Sequence, residues 1–368
     1  MKGHTMTGLY IGSTIPQAGK TLLTFSLGLL LQKAGHTVGY MKPLGKNPQR
    51  VEGIVGDSDA LIAQEVLGQN VAPDVLSPVM MPQNLHALPL LRPVAEQNGL
   101  EAIATAYATI SQGKTVTLVG GTESFPGTGH FCGANGLGLI HRLGLKVLLV
   151  ERYRDNAWYD AICFQQKELG QALVGVVLND VPEESLRDVH NLLVPYLGQN
   201  GVQVHGVLPR CPALMGMRVA DLAQGLSGYI VAGNNAAARM VEGFIIGTMQ
   251  VENFMLYVKR NPARVVIVGG DRADLQLAAL SAGSPCIVLT GNLTPSELVR
   301  QKAEDLGTPL VVVKEDTYTV ARTMSHILKC KKLRDLHHIQ QAVALVKEHL
   351  NTTTLFAALG LRQAEAYE

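Results

Sequence analysis

Residues 8–31 read GLYIGSTIPQAGKTLLTFSLGLLL: an apolar strand, a turn carrying glycine and proline, and an apolar helix opening on Gly-Lys-Thr. A phosphate-binding loop needs that order. Backbone N–H groups of the turn and helix N-terminus can point at phosphate oxygens, the lysine adds a point charge, and the threonine hydroxyl can ligate magnesium. The spacing departs from the usual one. Gly12 and Gly19 are separated by six residues, more than the standard loop has, and Thr14 stands where its first glycine should be. Pro16 stiffens the longer turn. On spacing alone, an ordinary strand-turn-helix with a chance Gly-Lys-Thr stays open.

Outward from this loop, short apolar runs alternate with helical patterns. Strands are expected at 8–12, 37–41, 115–119, 146–151 and 173–179, with helices near 20–34, 58–67, 96–111 and 183–197. Such alternation implies parallel strands joined by crossover helices, an α/β fold. The segment HGVLPRCPALMG (205–216) breaks the pattern with two prolines and two glycines and marks a domain boundary. A second alternating run follows, with strands at 228–233, 243–247, 264–270, 284–291 and 309–313 and helices near 250–258, 273–282, 295–306 and 317–329. Helical stretches at 335–349 and 353–359 close the chain. The expected organisation is a nucleotide-binding domain over 1–212, a smaller α/β domain over 213–328 and a helical segment over 329–368.

A chain of 368 residues is long for one domain, and 47% hydrophobic content suffices for two cores. The net charge of +1 gives no field favouring nucleic acid or an anionic membrane. Five scattered cysteines without a CxxC pair (Cys132, Cys163, Cys211, Cys286, Cys330) argue for buried thiols in a reducing compartment, not a disulfide framework or zinc site. The N-terminus has no apolar run to serve as a signal peptide, and the apolar segment from Leu22 to Leu31 is far short of a membrane span. A cytoplasmic protein is the expectation. The basic stretch 326–338 reads as a solvated face, with a metal or nucleic-acid role left open.

The opening stretch resembles the dethiobiotin-synthetase-like P-loop ATPases, and is closer still to the non-catalytic N-terminal region of long phosphotransacetylases. That branch tolerates a longer loop, matched here by Ile11, Gly12, Ser13, Pro16, Gly19, Lys20 and Thr21. The resemblance implies that ATP or ADP is bound, with Gly12, Ser13, Gly19, Lys20, Thr21 and Leu22 around the phosphates. GYMKP (39–43) is similar to the family's strand ending in Lys-Pro, which makes Lys42 a second cation near the phosphates. VGDSDALIAQ (55–64) resembles the segment whose aspartate reaches magnesium, which places Asp59 with Thr21 on the metal; Asp57 or Ser58 can cap the same helix. VVLNDVPEE (176–184) resembles the Asn-x-x-Pro segment that reads adenine, so Asn179 and Pro182 are base residues, and GVLPRCP (206–212) adds Pro209.

One departure bears on turnover. The family's strand before its second glycine-rich turn ends in Val-Glu-Gly, whereas this chain has Gly120 there, or Pro126 if GTGH (127–130) is aligned instead. Glu123 is the nearest substitute. With Lys20, Lys42 and Glu123 as the catalytic candidates, weak or absent hydrolysis is expected.

The second domain resembles the DRTGG domain over about residues 214–325, through Asp271 and Arg272, with Ala273 in place of its threonine and Gly291-Asn292 in place of its Gly-Gly. A ligand at the strand end by Gly270 and Asp271, facing Gly291, is one expectation. Capping of the next helix by Asp271 is the other. The overall reading is an ATP- or ADP-binding protein with a ligand-sensing or regulatory domain, an unidentified small-molecule effector and homo-oligomeric assembly. The alternative is an ATP-dependent carboxylate-activating synthetase of the dethiobiotin or cobyrinate type. The chain stops at Glu368, so no transacetylase domain is expected after the DRTGG region. A partitioning-type ATPase is disfavoured, because Gly12 and Ser13 stand where its extra lysine would be.

Overall fold

The computed structural model describes residues 6–81, 99–154, 158–211, 214, 216–330 and 336–361. The chain divides into two units: one of Met1–Arg210 together with Ile339–Glu368, the other of Cys211–His338.

The first unit is built from β1 (Thr7–Gly12), α1 (Lys20–Lys33), β2 (Val38–Met41), a hairpin of β3 (Pro48–Val51) and β4 (Ile54–Asp57), and α2 (Ser58–Val66). α3 (Gly99–Ser111), β5 (Val116–Gly120), α4 (Gly136–Leu143) and β6 (Lys146–Arg152) follow, then α5 (Trp158–Leu169), β7 (Leu173–Val181) and β8 (Val204–Pro209). The main sheet has the order β8-β7-β6-β1-β5-β2 with every pairing parallel. Helices cover a parallel sheet on both faces, so its strands read as unbroken apolar runs, and all five residues of β5 are buried. Leu9, Ile11, Leu118, Leu148, Val150 and Val177 are fully enclosed. Connections run to one side of β1 for β2 and β5 and to the other for β6, β7 and β8. The carboxyl end of β1 is therefore where an open sheet leaves a crevice.

The second unit holds β9 (Tyr229–Ala232), β10 (Gly243–Ile246), α6 (Val251–Lys259), β11 (Arg264–Gly269), α7 (Ala273–Ser281), β12 (Ile287–Thr290), α8 (Glu297–Asp305), β13 (Leu310–Val312) and α9 (Thr317–Cys330). Its sheet order is β9-β13-β12-β11-β10, parallel except for the antiparallel edge strand β9. Alternate residues feed two cores. Val266, Val268 and Leu289 face one side with Phe254 and Leu275, while Val265, Ile267 and Val288 face the other with Val320 and Met324.

α10 (Leu336–His349) and α11 (Thr352–Leu359) complete the chain. From Ile339 onward they belong to the first unit, where Asn351 N–H donates to His205 O and Thr7 Oγ1 to Leu359 O. The sequence reading had set residues 329–368 apart.

The α/β class, the parallel first sheet, the smaller α/β unit and the C-terminal helices all match the sequence expectation. Three local expectations need correction. The boundary segment 205–216 begins as strand β8, since an edge strand admits Pro209 at its end. α4 and α5 were both unforeseen, and the glycine-rich GLGLIHRL of α4 is held by Asn135 capping Gly138 N–H. The expected helix 183–197 runs on to Gln199 through a π-turn at Val189–Leu193, just ahead of Pro195, whose missing N–H interrupts the regular ladder. Cys132 and Cys286 are buried free thiols, and Cys163 and Cys211 are free and half-buried. No described helix is long and apolar enough to cross a membrane.

Candidate phosphate-binding site

The loop after β1 has two distinctive features. Gly19 adopts φ 102°, a left-handed conformation, and a Cβ there would overlap Asn179 Nδ2, so glycine is required twice over. α1 then starts at Lys20 with no side chain capping it, which leaves its first amides open to an anion. Lys20 is buried. Its ammonium donates to Ser13 Oγ at 2.7 Å and to the backbone oxygen of Glu123 at 2.6 Å. Both acceptors are neutral. Burial therefore lowers its pKa to about 8, with Glu151 pulling upward and Lys42 and Lys46 pulling further down.

Lys42 lies at the end of β2 and is doubly paired. Its ammonium is 2.8 Å from Asp57 Oδ1 and 2.9 Å from Asp59 Oδ2. Burial pulls its pKa down, but the two carboxylates outweigh that and hold it above its ordinary value. Asp57 is fully buried and caps α2 through Asp59 N–H and Ala60 N–H, while Lys46 N–H and Asn47 N–H reach its other oxygen at 2.7 and 2.9 Å. The hairpin β3–β4 delivers it there by turning on Glu52 and Gly53, both at positive φ. Of the two capping candidates, Asp57 is the cap. The Asp59 side chain is 22% exposed and, besides Lys42, receives Asn47 Nδ2 at 3.4 Å. Among the described residues no three His, Cys, Asp or Glu side chains gather as a metal cluster. A magnesium at the expected Thr21 and Asp59 would keep several waters, as that ion usually does.

Glu123 is the substitute expected for a carboxylate at Gly120. The Glu123 side chain pairs with Lys46, and its carbonyl takes Lys20. The space beside Gly120 is filled by Tyr40, whose hydroxyl would lie 2.9 Å from a Cβ added there. Burial and then Asp57 and Asp59 push the Tyr40 hydroxyl well above its ordinary range, so it stays neutral.

Sequence reading missed Glu151. β6 pairs with β1 from Leu9↔Lys146 to Gly12↔Leu149, which carries Glu151 level with Thr14 beyond the strand end. Fully buried, it accepts Thr14 N–H at 2.6 Å and Thr14 Oγ1–H at 2.7 Å, one bond to each oxygen. Burial raises its pKa, with Thr14, Arg154 and Lys20 opposing. The signal was present: an apolar run, KVLLV, closing on a carboxylate at the ligand end of a central strand.

Asn179, Pro182 and Pro209 come together at the ends of β7 and β8. Asn179 Nδ2 donates to Ala18 O at 2.8 Å, which ties it to the loop. Asp180, also missed, sits at φ 58° and is held by Arg152 Nε at 2.7 Å and Arg210 Nε at 2.9 Å. Pro182 precedes the helix beginning at Glu183, and Pro209 pairs with Val181.

In the second unit, Gly270 N–H donates to Thr290 O, which sets the ends of β11 and β12 side by side. Gln276 Nε2 donates to the carbonyls of Gly269 and Gly270 at 2.9 and 3.1 Å. Asp271 does not cap α7. Arg272 holds that position without a side-chain cap, since a guanidinium offers no acceptor to the helix amides, and it pairs with Asp274 instead.

Residues 7–218 match the family described as AAA domain, and residues 221–327 match the DRTGG domain. The chain is 23% identical to the phosphate acetyltransferase of Nitratidesulfovibrio vulgaris, covering 95% of this chain and 51% of that protein. It is also 23% identical to that of Nitrosomonas europaea, covering 94% and 51%. The chain spans about half the length of these curated relatives. Among solved structures, the septum site-determining protein MinD of Pyrococcus horikoshii, complexed with Mg-ADP, is similar at a TM-score of 0.34 and 15% identity, covering 57% of this chain and 84% of that one. The expected joining of a P-loop domain to a DRTGG domain, as in long phosphotransacetylases, is borne out.

Proposed function

We propose, for a chain that belongs to the AAA domain family over residues 7–218, that its first unit binds ATP or ADP with magnesium. The observation that carries this reading is the buried Lys20 ammonium, which among the described residues donates to the neutral oxygens of Ser13 and Glu123, at the uncapped start of α1. A desolvated cation beside free helix amides favours an anion, and a phosphate supplies one. Gly12, Ser13, Gly19, Lys20, Thr21 and Leu22 would surround the phosphates. Asn179, with Pro182 and Pro209, would meet the base, and Thr21 and Asp59 would hold a largely hydrated magnesium, which would offset phosphate charge.

Hydrolysis is weak or absent in this reading. Gly120 offers no carboxylate, Glu123 is engaged by Lys46, and Lys42 is neutralised by Asp57 and Asp59. The DRTGG unit is then the ligand-sensing, regulatory half, with a small-molecule effector at the adjoining ends of β11 and β12.

Thermal shift of the full chain with ATP or ADP, with and without magnesium, tests the reading. A nucleotide at a thousand times its Kd adds about 4 kcal/mol of stability. No shift with either nucleotide, and no heat of binding by calorimetry, would end it.

A further inference from the structure

We propose that Glu151 sets the number of phosphates this loop accepts: as an internal anion on Thr14, it makes the site favour a nucleoside diphosphate over a triphosphate. The inference rests on the nucleotide reading and adds a specificity residue to it. Thr14 opens the loop, and its N–H and hydroxyl both donate to Glu151. Those donors are therefore taken by a carboxylate built into the protein. Lysine in such a loop reaches the β- and γ-phosphates, and Lys20 lies within electrostatic range of Glu151. A terminal phosphate drawn toward Lys20 consequently approaches a buried negative charge.

The charges bearing on Glu151 come from each neighbouring element. Lys20 acts from α1 and Arg154 from the extension of β6. On the adjacent strand β7, Asp180 is already matched by Arg152 and Arg210. Neither cation is within ion-pair distance of the Glu151 carboxylate among the described residues, so the hydrogen bonds from Thr14 are its direct partners. Burial already favours its neutral form, and protonation would lift the repulsion while one oxygen still accepts from Thr14. Triphosphate affinity should therefore gain on diphosphate affinity as pH falls.

Calorimetry on the full chain without magnesium provides the test, using ADP and ATP with the parent, Glu151→Gln and Lys20→Ala, from about pH 5 to about pH 8. The parent is expected to bind ADP at least about tenfold more tightly than ATP near pH 8, with the gap narrowing toward pH 5. In Glu151→Gln the two nucleotides should agree within about threefold throughout. An unchanged ADP-to-ATP ratio in the variant overturns the proposal, and if Lys20→Ala still abolishes binding, the nucleotide reading survives it. Should Glu151→Gln fail to fold, the parent alone decides, since ATP bound as tightly as ADP near pH 8 is equally fatal. If the parent binds neither nucleotide, both readings fall together.

Discussion

Gly19 and Asn179 touch: the amide of Asn179 occupies the place a side chain at position 19 would need and hydrogen-bonds the preceding carbonyl, that of Ala18. Asn179 and the loop ahead of α1 are one packed unit. Gly19→Ala must relieve both this overlap and a left-handed φ, the latter alone costing about 1–2 kcal/mol. The expected outcome is loss of nucleotide binding by calorimetry, with a folded protein by circular dichroism.

Lys20→Ala removes the one buried ammonium of the loop. Nucleotide affinity should fall by about 2–4 kcal/mol, the scale of a charge-assisted contact in a partly desolvated site. Because the free lysine titrates near pH 8, affinity in the parent should decline as pH rises above that value. A parent whose affinity is flat from about pH 7 to about pH 9.5 would contradict this assignment.

Placing a carboxylate at position 120 takes more than a single substitution. Gly120→Glu puts a Cβ 2.9 Å from the Tyr40 hydroxyl, an overpacking expected to cost about 1–3 kcal/mol. Paired with Tyr40→Phe, which removes that oxygen, the glutamate should be tolerated. ATP hydrolysis should then rise in the double variant above either parent or single variant. Phosphate release assays decide it, and equal rates in all three would remove Gly120 from the account of slow turnover.

His205 gives the first unit an acid limit. Nε2 donates to Val174 O at 2.9 Å, Nδ1 lies 3.0 Å from Thr354 Oγ1, and burial lowers the imidazole pKa against the opposing Val174 bond. The unfolded chain takes up this proton at about pH 6.5, while the fold resists it. Stability is accordingly complete above that pH and lost as pH falls below it, with a limiting slope of about 1.4 kcal/mol per pH unit. Urea unfolding from about pH 7.5 to about pH 5 should show the loss, and His205→Gln should flatten it.

Strands were readable where both faces are buried, since short apolar runs such as VVL in β7, spaced between helical patterns, fit a covered parallel sheet. The glycines and Lys20 were readable because a tight anion loop admits few residue types. What escaped depends on neighbours far along the chain. Glu151 reaches Thr14 only through the β1–β6 register, and Tyr40 meets Gly120 only because β2 flanks β5. Lys42 could be placed near the site but not seen as neutralised, because that depends on a hairpin turning at Glu52 and Gly53 to deliver Asp57.

β8 stands at the margin of the main sheet, and its Gly206 bridges to Leu350, contributed by the last stretch of the chain. The first unit is thus discontinuous, and the second is an insertion within it. A fragment ending near residue 210 would be born with an open β-edge and without the covering of Leu350, Leu355 and Phe356, and such edges recruit other chains. Limited proteolysis inside the insertion has the opposite consequence: the severed ends stay associated by packing, so a nicked molecule should run as two bands under denaturing conditions and one particle in solution.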